Sequence, residues 1–203
     1  MSKYLWLLDA GHGGILKGVY QTAGKRSPIW YSGKQYFEGE GNRLITDKIL
    51  QMCKEENIDA MDIVSSNRDV SLSERVARAN ALNGYRECIY VSIHSDGFTK
   101  ESANGYSVYT SKGQTQSDDI ASVFIDNMQR AFPDHKLRKD TRDGDEDKEA
   151  NFYVLKNTKC PAILIENFFM TNEKECLLLM SEEGKYKIAL THFNSIKDIE
   201  NSF

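Results

Sequence analysis

Tyr4-Leu5-Trp6-Leu7-Leu8 runs directly into Asp9-Ala10-Gly11-His12-Gly13-Gly14. Five apolar or aromatic residues in a row, stopped by polar residues and glycine, have the length and composition of one buried strand. The same design recurs twice. Cys88 to Ile93 is apolar and ends at His94, and Ala162 to Ile165 ends at Glu166. Near-continuous apolar character, with no in/out alternation, predicts strands covered on both faces. Ala60 to Val64 and Gly105 to Tyr109 are weaker strand candidates.

Helical periodicity fills the intervals. Leu44, Ile45, Ile49, Met52 and Cys53 recur at helical spacing between Asn42 and Glu55. Ser71 and Glu74 form a capping-box pattern ahead of Leu72, Val76, Ala79 and Leu82. Asp118 to Phe132 carries Ile120, Phe124, Met128 and Ala131 on one face. Asn172 with Glu175 resembles a further cap, and a last helix is predicted from Gly184 to about Ile199. Strands alternating with helices give an α/β fold with helices on both faces of the sheet.

Ligand-type side chains fall at the ends of the predicted strands. His12 follows the first, His94 ends the second and Glu166 ends the third. Sites in α/β sheets form at the carboxyl ends of strands, so parallel neighbours would bring the three together. A catalytic zinc takes three protein ligands and keeps one position open. His12 and His94 supply two; Glu38 and Glu40, just before a helix, compete for the third. Other readings exist for the same residues. The glycine loop could cradle a phosphate, although no Lys-Ser or Lys-Thr follows it. Glu166 could serve only as an arginine's partner. His135, in a polar loop, and His192, in the terminal helix, read as non-catalytic.

The 203 residues suit one domain with a sizeable core. A net charge of −4 without a basic patch argues against nucleic acid as a partner. No apolar run approaches the roughly 20 residues of a membrane span, so membrane insertion is not expected. The first residues do not read as a signal peptide, and synthesis in the cytoplasm is the expectation. Cys53, Cys88, Cys160 and Cys176 contain no C-x-x-C pair and read as reduced core residues. The acidic stretch Asp140 to Glu149 reads as a solvated loop without EF-hand spacing.

From about Leu7 to Ile196 the sequence resembles the zinc-dependent N-acetylmuramoyl-L-alanine amidases of the amidase type 3 group. The resemblance is carried by Asp9 to Gly14, by Glu38 four residues before Asn42, and by the Arg68-to-Asn80 segment with its Ser71-Leu72 and Arg75. It continues through Ser92-Ile93-His94 and the stretch from Val154 to Glu166, reaching Asn172. Asp96 stands where the family usually has Asn, and Asn167 and Phe168 replace small residues. The resemblance implies a single catalytic domain spanning 1–203, with a mixed, mostly parallel sheet of about six strands. It implies Zn²⁺ held by His12, Glu38 and His94, with Glu166 as catalytic acid/base. It implies hydrolysis of the amide between N-acetylmuramic acid and L-alanine in bacterial peptidoglycan, as in a phage lysin that reaches the cell wall after release. The competing functions are a zinc carboxypeptidase or endopeptidase of the stem peptide, and a non-catalytic peptidoglycan-binding module. Lys17 to Tyr36, with Trp30, reads either as a groove wall or as local core.

Overall fold

The computed structural model describes residues 2–30 and 33–202. In chain order the elements are β1 (Leu5–Ala10), β2 (Ile15–Leu16), β3 (Val19–Tyr20), α1 (Glu38–Glu55), β4 (Ala60–Asp62), α2 (Leu72–Asn83) and β5 (Cys88–Asp96). They continue as β6 (Ser107–Thr110), α3 (Gln116–Ala131), β7 (Lys148–Glu149), α4 (Tyr153–Asn157), β8 (Ala162–Phe169), α5 (Glu173–Met180) and α6 (Glu182–Ser202). The main sheet has the order β4-β1-β5-β8-β6-β7, and β2 pairs with β3 as a separate hairpin. β4, β1, β5 and β8 run parallel. β6 is antiparallel to β8, and β7 is parallel to β6. The three apolar runs are therefore the adjacent central strands β1, β5 and β8.

The continuous apolar runs serve two cores through the period-two pleat of a strand. Trp6 and Leu8 of β1, Ile89, Val91 and Ile93 of β5, and Ile163 and Ile165 of β8 face the larger one. There they meet Ile45 and Ile49 of α1, Phe124 and Met128 of α3, and Ile188 and Ile196 of α6. Leu7, Cys88, Tyr90, Ala162 and Leu164 face the other way, against Val76 and Ala79 of α2 and Val154 and Leu155 of α4. Helices thus cover both faces, and all four cysteines are buried and unpaired.

Several boundaries differ from the sequence reading. β5 and β8 continue past His94 and Glu166 to Asp96 and Phe169, so both residues lie within strands and not at their ends. The register shifts after His94, so that His94 pairs with Glu166 but Asp96 pairs with Phe169. α1 begins at Glu38, four residues before Asn42. Gly39 and Gly41 weaken the helical signal there. They are nevertheless required: a Cβ on Gly39 would overlap the Gly13 carbonyl, and one on Gly41 would overlap the Tyr36 ring. α3 starts at Gln116, capped by Thr115 in a reciprocal box with Asp118. Ser71 caps α2, its hydroxyl accepting from the Glu74 N–H at 3.2 Å. Asn172 caps α5 in the same way. The acidic stretch is only partly a solvated loop, because Asp147 is buried and Lys148–Glu149 joins the sheet as β7.

Candidate active site

His12 leaves the carboxyl end of β1 with φ +65°, a left-handed conformation uncommon outside glycine. Its carbonyl oxygen is held in that position by two arginines. Arg43 Nη1 donates to it at 2.9 Å and Arg75 Nη2 at 3.2 Å. The preceding residue is fixed as well. The Gly11 N–H donates to the Ile93 carbonyl at 2.9 Å, and Asn42 Nδ2 donates to the Gly11 carbonyl at 3.3 Å. A Cβ on Gly11 would overlap the His94 ring, so only glycine lets the loop lie against β5.

His94, from β5, meets His12 with ring centroids 4.8 Å apart and nearly perpendicular. Glu38 lies beneath both rings. One of its oxygens, Oε1, is 3.2 Å from His12 Nε2 and 3.1 Å from His94 Nδ1, and the Ser95 N–H donates to it at 3.3 Å. Glu38 is 1% exposed. Burial opposes its ionisation, but the bonds to His12 and His94 outweigh burial and hold the carboxyl well below the usual range. Burial also keeps the His12 imidazole below its ordinary value, against the pull of Glu38. Glu40 points elsewhere and accepts the Ile15 N–H. The trio offers two imidazole nitrogens and one carboxylate oxygen, all within 4.8 Å of one another. Glu38 Oε2 is shut off from water without a hydrogen-bond partner, and His12 Nε2, also sealed, has only Glu38 Oε1 beside it. Buried polar atoms without partners are rare, and this donor set fits a borderline-soft divalent metal.

Glu166 stands on the next strand as the register partner of His94. Burial pushes its carboxyl up to about 8; the nearby Glu38 and Asp96 charges add to the rise and His94 opposes it. Its Oε2 also lacks a partner. His12, His94 and Glu166 open onto a cleft of about 570 Å³, which Lys25, Leu72, Phe152 and Tyr153 also line. That volume falls within the roughly 300–1,000 Å³ usual for small-molecule sites. One titratable carboxyl beside a three-ligand group, in an open apolar-walled cleft, has the parts of a metal-assisted hydrolase.

The family model for N-acetylmuramoyl-L-alanine amidases matches residues 7–198. The chain belongs to this family. It is similar to the amidase AmiA of Salmonella typhimurium, at 27% identity over 96% of this chain and 75% of that one. It is likewise similar to the endolysin of Bacillus phage SPP1, at 27% identity over 99% and 67%. An uncharacterized protein of Bacillus subtilis, YqiI, is 29% identical over 93% and 81%. Among solved structures, the amidase from Clostridium difficile 630 superposes with a TM-score of 0.78 at 23% identity, covering 100% of this chain and 99% of that one. The fold is therefore that of the amidase catalytic domains, and the family's activity is hydrolysis of a peptidoglycan amide.

Other residues of the amidase site had only faint signals in the sequence. Asp9 is 1% exposed and accepts from Arg75, from the Tyr90 hydroxyl at 2.5 Å and from the Ser92 hydroxyl at 2.9 Å. Arg75 also donates to the Ala10 carbonyl at 2.9 Å, so the pair ties α2 to the end of β1. An aspartate ending an apolar strand and an arginine in a later helix were the available clue. His192 lies outside the cleft, as expected, but still reaches it indirectly. It bonds Asn167 Oδ1 at 2.8 Å, and Asn167 Nδ2 donates to the His94 carbonyl at 3.2 Å. Of the Lys17-to-Tyr36 segment, Trp30 and Tyr36 are buried in the larger core, and Lys25 faces the cleft. Tyr31 and Ser32, which that reading also included, lie outside the described residues.

Proposed function

We propose that this amidase is zinc-dependent, cuts between the lactyl carbonyl of N-acetylmuramic acid and L-alanine, and uses His12, Glu38 and His94 as ligands with Glu166 as acid/base. The observation that carries this reading is the placement of one Glu38 oxygen within 3.2 Å of ring nitrogens on both histidines, with Glu166 beside His94 on the neighbouring strand. Two neutral imidazoles and one carboxylate leave a zinc site at a formal +1. That charge favours an oxyanion, and three protein ligands leave a coordination position free. Zinc bound there supplies Lewis-acid polarisation of the carbonyl and lowers the pKa of water toward ~7.

The chain's own groups do the rest. Glu166 removes a proton from the attacking water and returns it to the departing alanine nitrogen. Burial raises its proton affinity, which lets it hold the proton between the two halves of that transfer. Arg43 and Arg75 keep the His12 backbone in its left-handed turn, and Asn42 and Gly11 hold the loop against β5. Phe152, Tyr153 and Leu72 provide an apolar wall for the glycan or stem.

Mass analysis of fragments released from purified cell walls tests the bond cut, with metal analysis on the same preparation. Intact stem peptides beginning with a free alanine amine are expected, with one zinc per chain. Stems cleaved internally would instead indicate an endopeptidase. Release of nothing by the zinc-loaded protein would indicate a binding module.

A further inference from the structure

At the far edge of the sheet, three carboxylates converge, and none of them has an ion-pair partner among the described residues. Asp118 comes from the first turn of α3, and Asp145 and Asp147 from the approach to β7. One oxygen from each lies within 4.8 Å of the others. Asp147 is 1% exposed, and its Oδ1 and the Oδ1 of Asp145 are sealed from solvent without a hydrogen-bond partner. Donors are scarce there. The Thr110 hydroxyl, with one proton to give, has its oxygen 2.7 Å from Asp147 Oδ2 and 3.3 Å from the Ser111 carbonyl, and Asp118 competes for that proton as well. The basic side chains of the same segment are committed elsewhere: Lys148 to the Tyr109 hydroxyl and ring, Lys139 to Glu146, and Arg142 to Asp140.

Three carboxylates this close repel one another, and an unpaired buried carboxylate oxygen is costly. An all-oxygen donor set without nitrogen or sulfur matches a hard divalent ion, and calcium tolerates an irregular oxygen cage where magnesium demands near-octahedral geometry. We propose that Asp118, Asp145 and Asp147 form a calcium site, separate from the His12–Glu38–His94 group. The separation follows from the register. Thr110 lies three residues along β6 from Ser107, which is the partner of Glu166. At the strand rise that is roughly 10 Å from the Glu166 rung.

The ion has a structural task. Asp147 directly precedes β7, whose pairing with β6 is short, at Tyr109↔Lys148 and Thr110↔Glu149. The Ala150 N–H then donates to the Thr110 carbonyl at 3.0 Å, and Phe152 stacks near Tyr109 with centroids 5.1 Å apart. Calcium at Asp147 fixes this segment and with it the Phe152–Tyr153 wall of the cleft.

The test is calcium titration of the zinc-loaded, full-length protein by calorimetry, with thermal melts and hydrogen exchange. One calcium per chain is expected, with a rise of roughly 5–10 °C in melting temperature at about 100-fold excess over Kd. Slower amide exchange is expected over residues 145–152. Asp147→Asn and Asp145→Asn should each lose at least about tenfold in calcium affinity. Without calcium, both should melt no lower than the parent, because a repelling charge is gone. No calcium binding in the millimolar range would overturn the proposal. So would an unchanged calcium response in both variants, or a response to magnesium alone.

Discussion

Arg43 and His12 are joined through the backbone: the Arg43 guanidinium donates to the His12 carbonyl oxygen at 2.9 Å while also gripping the carbonyls of Gly39 and Ser66. One side chain thus locks the His12 turn to the first turn of α1, where Glu38 sits. Arg43→Ala is predicted to weaken zinc binding by about 10–100-fold, the usual effect of removing a group that orients a ligand. Arg43→Lys, with one donor centre in place of a planar fork, should fall between. Competition against a chromogenic chelator measures this, and a melt on each variant separates it from unfolding. Wild-type zinc affinity in Arg43→Ala would sink the positioning role.

Glu38→Ala should abolish tight zinc binding, and Glu40→Ala should leave it intact. Glu38 Oε1 faces both histidines, while Glu40 holds the Ile15 N–H. Zinc content after dialysis distinguishes them. Loss of metal in Glu40→Ala with retention in Glu38→Ala would reverse the assignment.

Glu166→Gln keeps shape and reach but cannot accept a proton. The expected outcome is a loss of about 10²–10⁴ in wall-lysis rate with zinc content near wild type. The fold should hold, since Glu166 has no ion-pair partner among the described residues and opens onto the cleft. An active Glu166→Gln protein would refute its role in proton transfer.

How much of this was legible beforehand depended on whether the signal was local. The central strands were readable because Tyr4–Leu8, Cys88–Ile93 and Ala162–Ile165 are short, apolar and bounded by polar residues. That His12, His94 and Glu166 would meet followed from strand order alone, once those strands proved to be neighbours. The start of α1 was hidden because two glycines occupy its first turn, and their purpose, close approach of Gly13 and Tyr36, is tertiary. The Asp9–Arg75 pair and the His192–Asn167–His94 chain link residues far apart in sequence, and no periodicity reports such contacts.

Phe168 has φ +62° and is fully buried against Tyr106, Phe132 and His135. Backbone strain and aromatic packing therefore oppose each other there. Phe168→Ala should lose about 3–5 kcal/mol of stability, because it empties the pocket and keeps the strain. Phe168→Gly loses the same packing but relieves the left-handed turn, and should be about 1 kcal/mol more stable than the alanine variant. Denaturant midpoints of the two variants decide it. An alanine variant at least as stable as the glycine variant would remove the strain argument.

Burial lowers the His192 imidazole to about 3 from 6.5. The folded chain therefore holds it neutral while the unfolded chain takes up a proton below pH 6.5. Stability present above that pH should decline as pH falls from about 6.5 toward 3, by at most ~1.4 kcal/mol per pH unit from this group. His192→Gln can keep a donor toward Asn167 but cannot protonate, so its stability should fall less steeply over pH 6.5 to 4.5. Parallel slopes for parent and variant would show that His192 does not contribute to acid sensitivity.

The sheet order has a consequence for how the molecule is made. β8 is threaded between β5 and β6, two strands that leave the ribosome well before it. His12, Glu38 and His94 are all translated within the first half of the chain, and Glu166 arrives only with this late central strand. Until it slots in, β5 has a bare edge and β6 has no partner through which to join the sheet. A copy ending before residue 162 carries all three proposed ligands but lacks the proposed acid/base. On the proposed assignment, an unfinished copy of this amidase cannot complete a turnover.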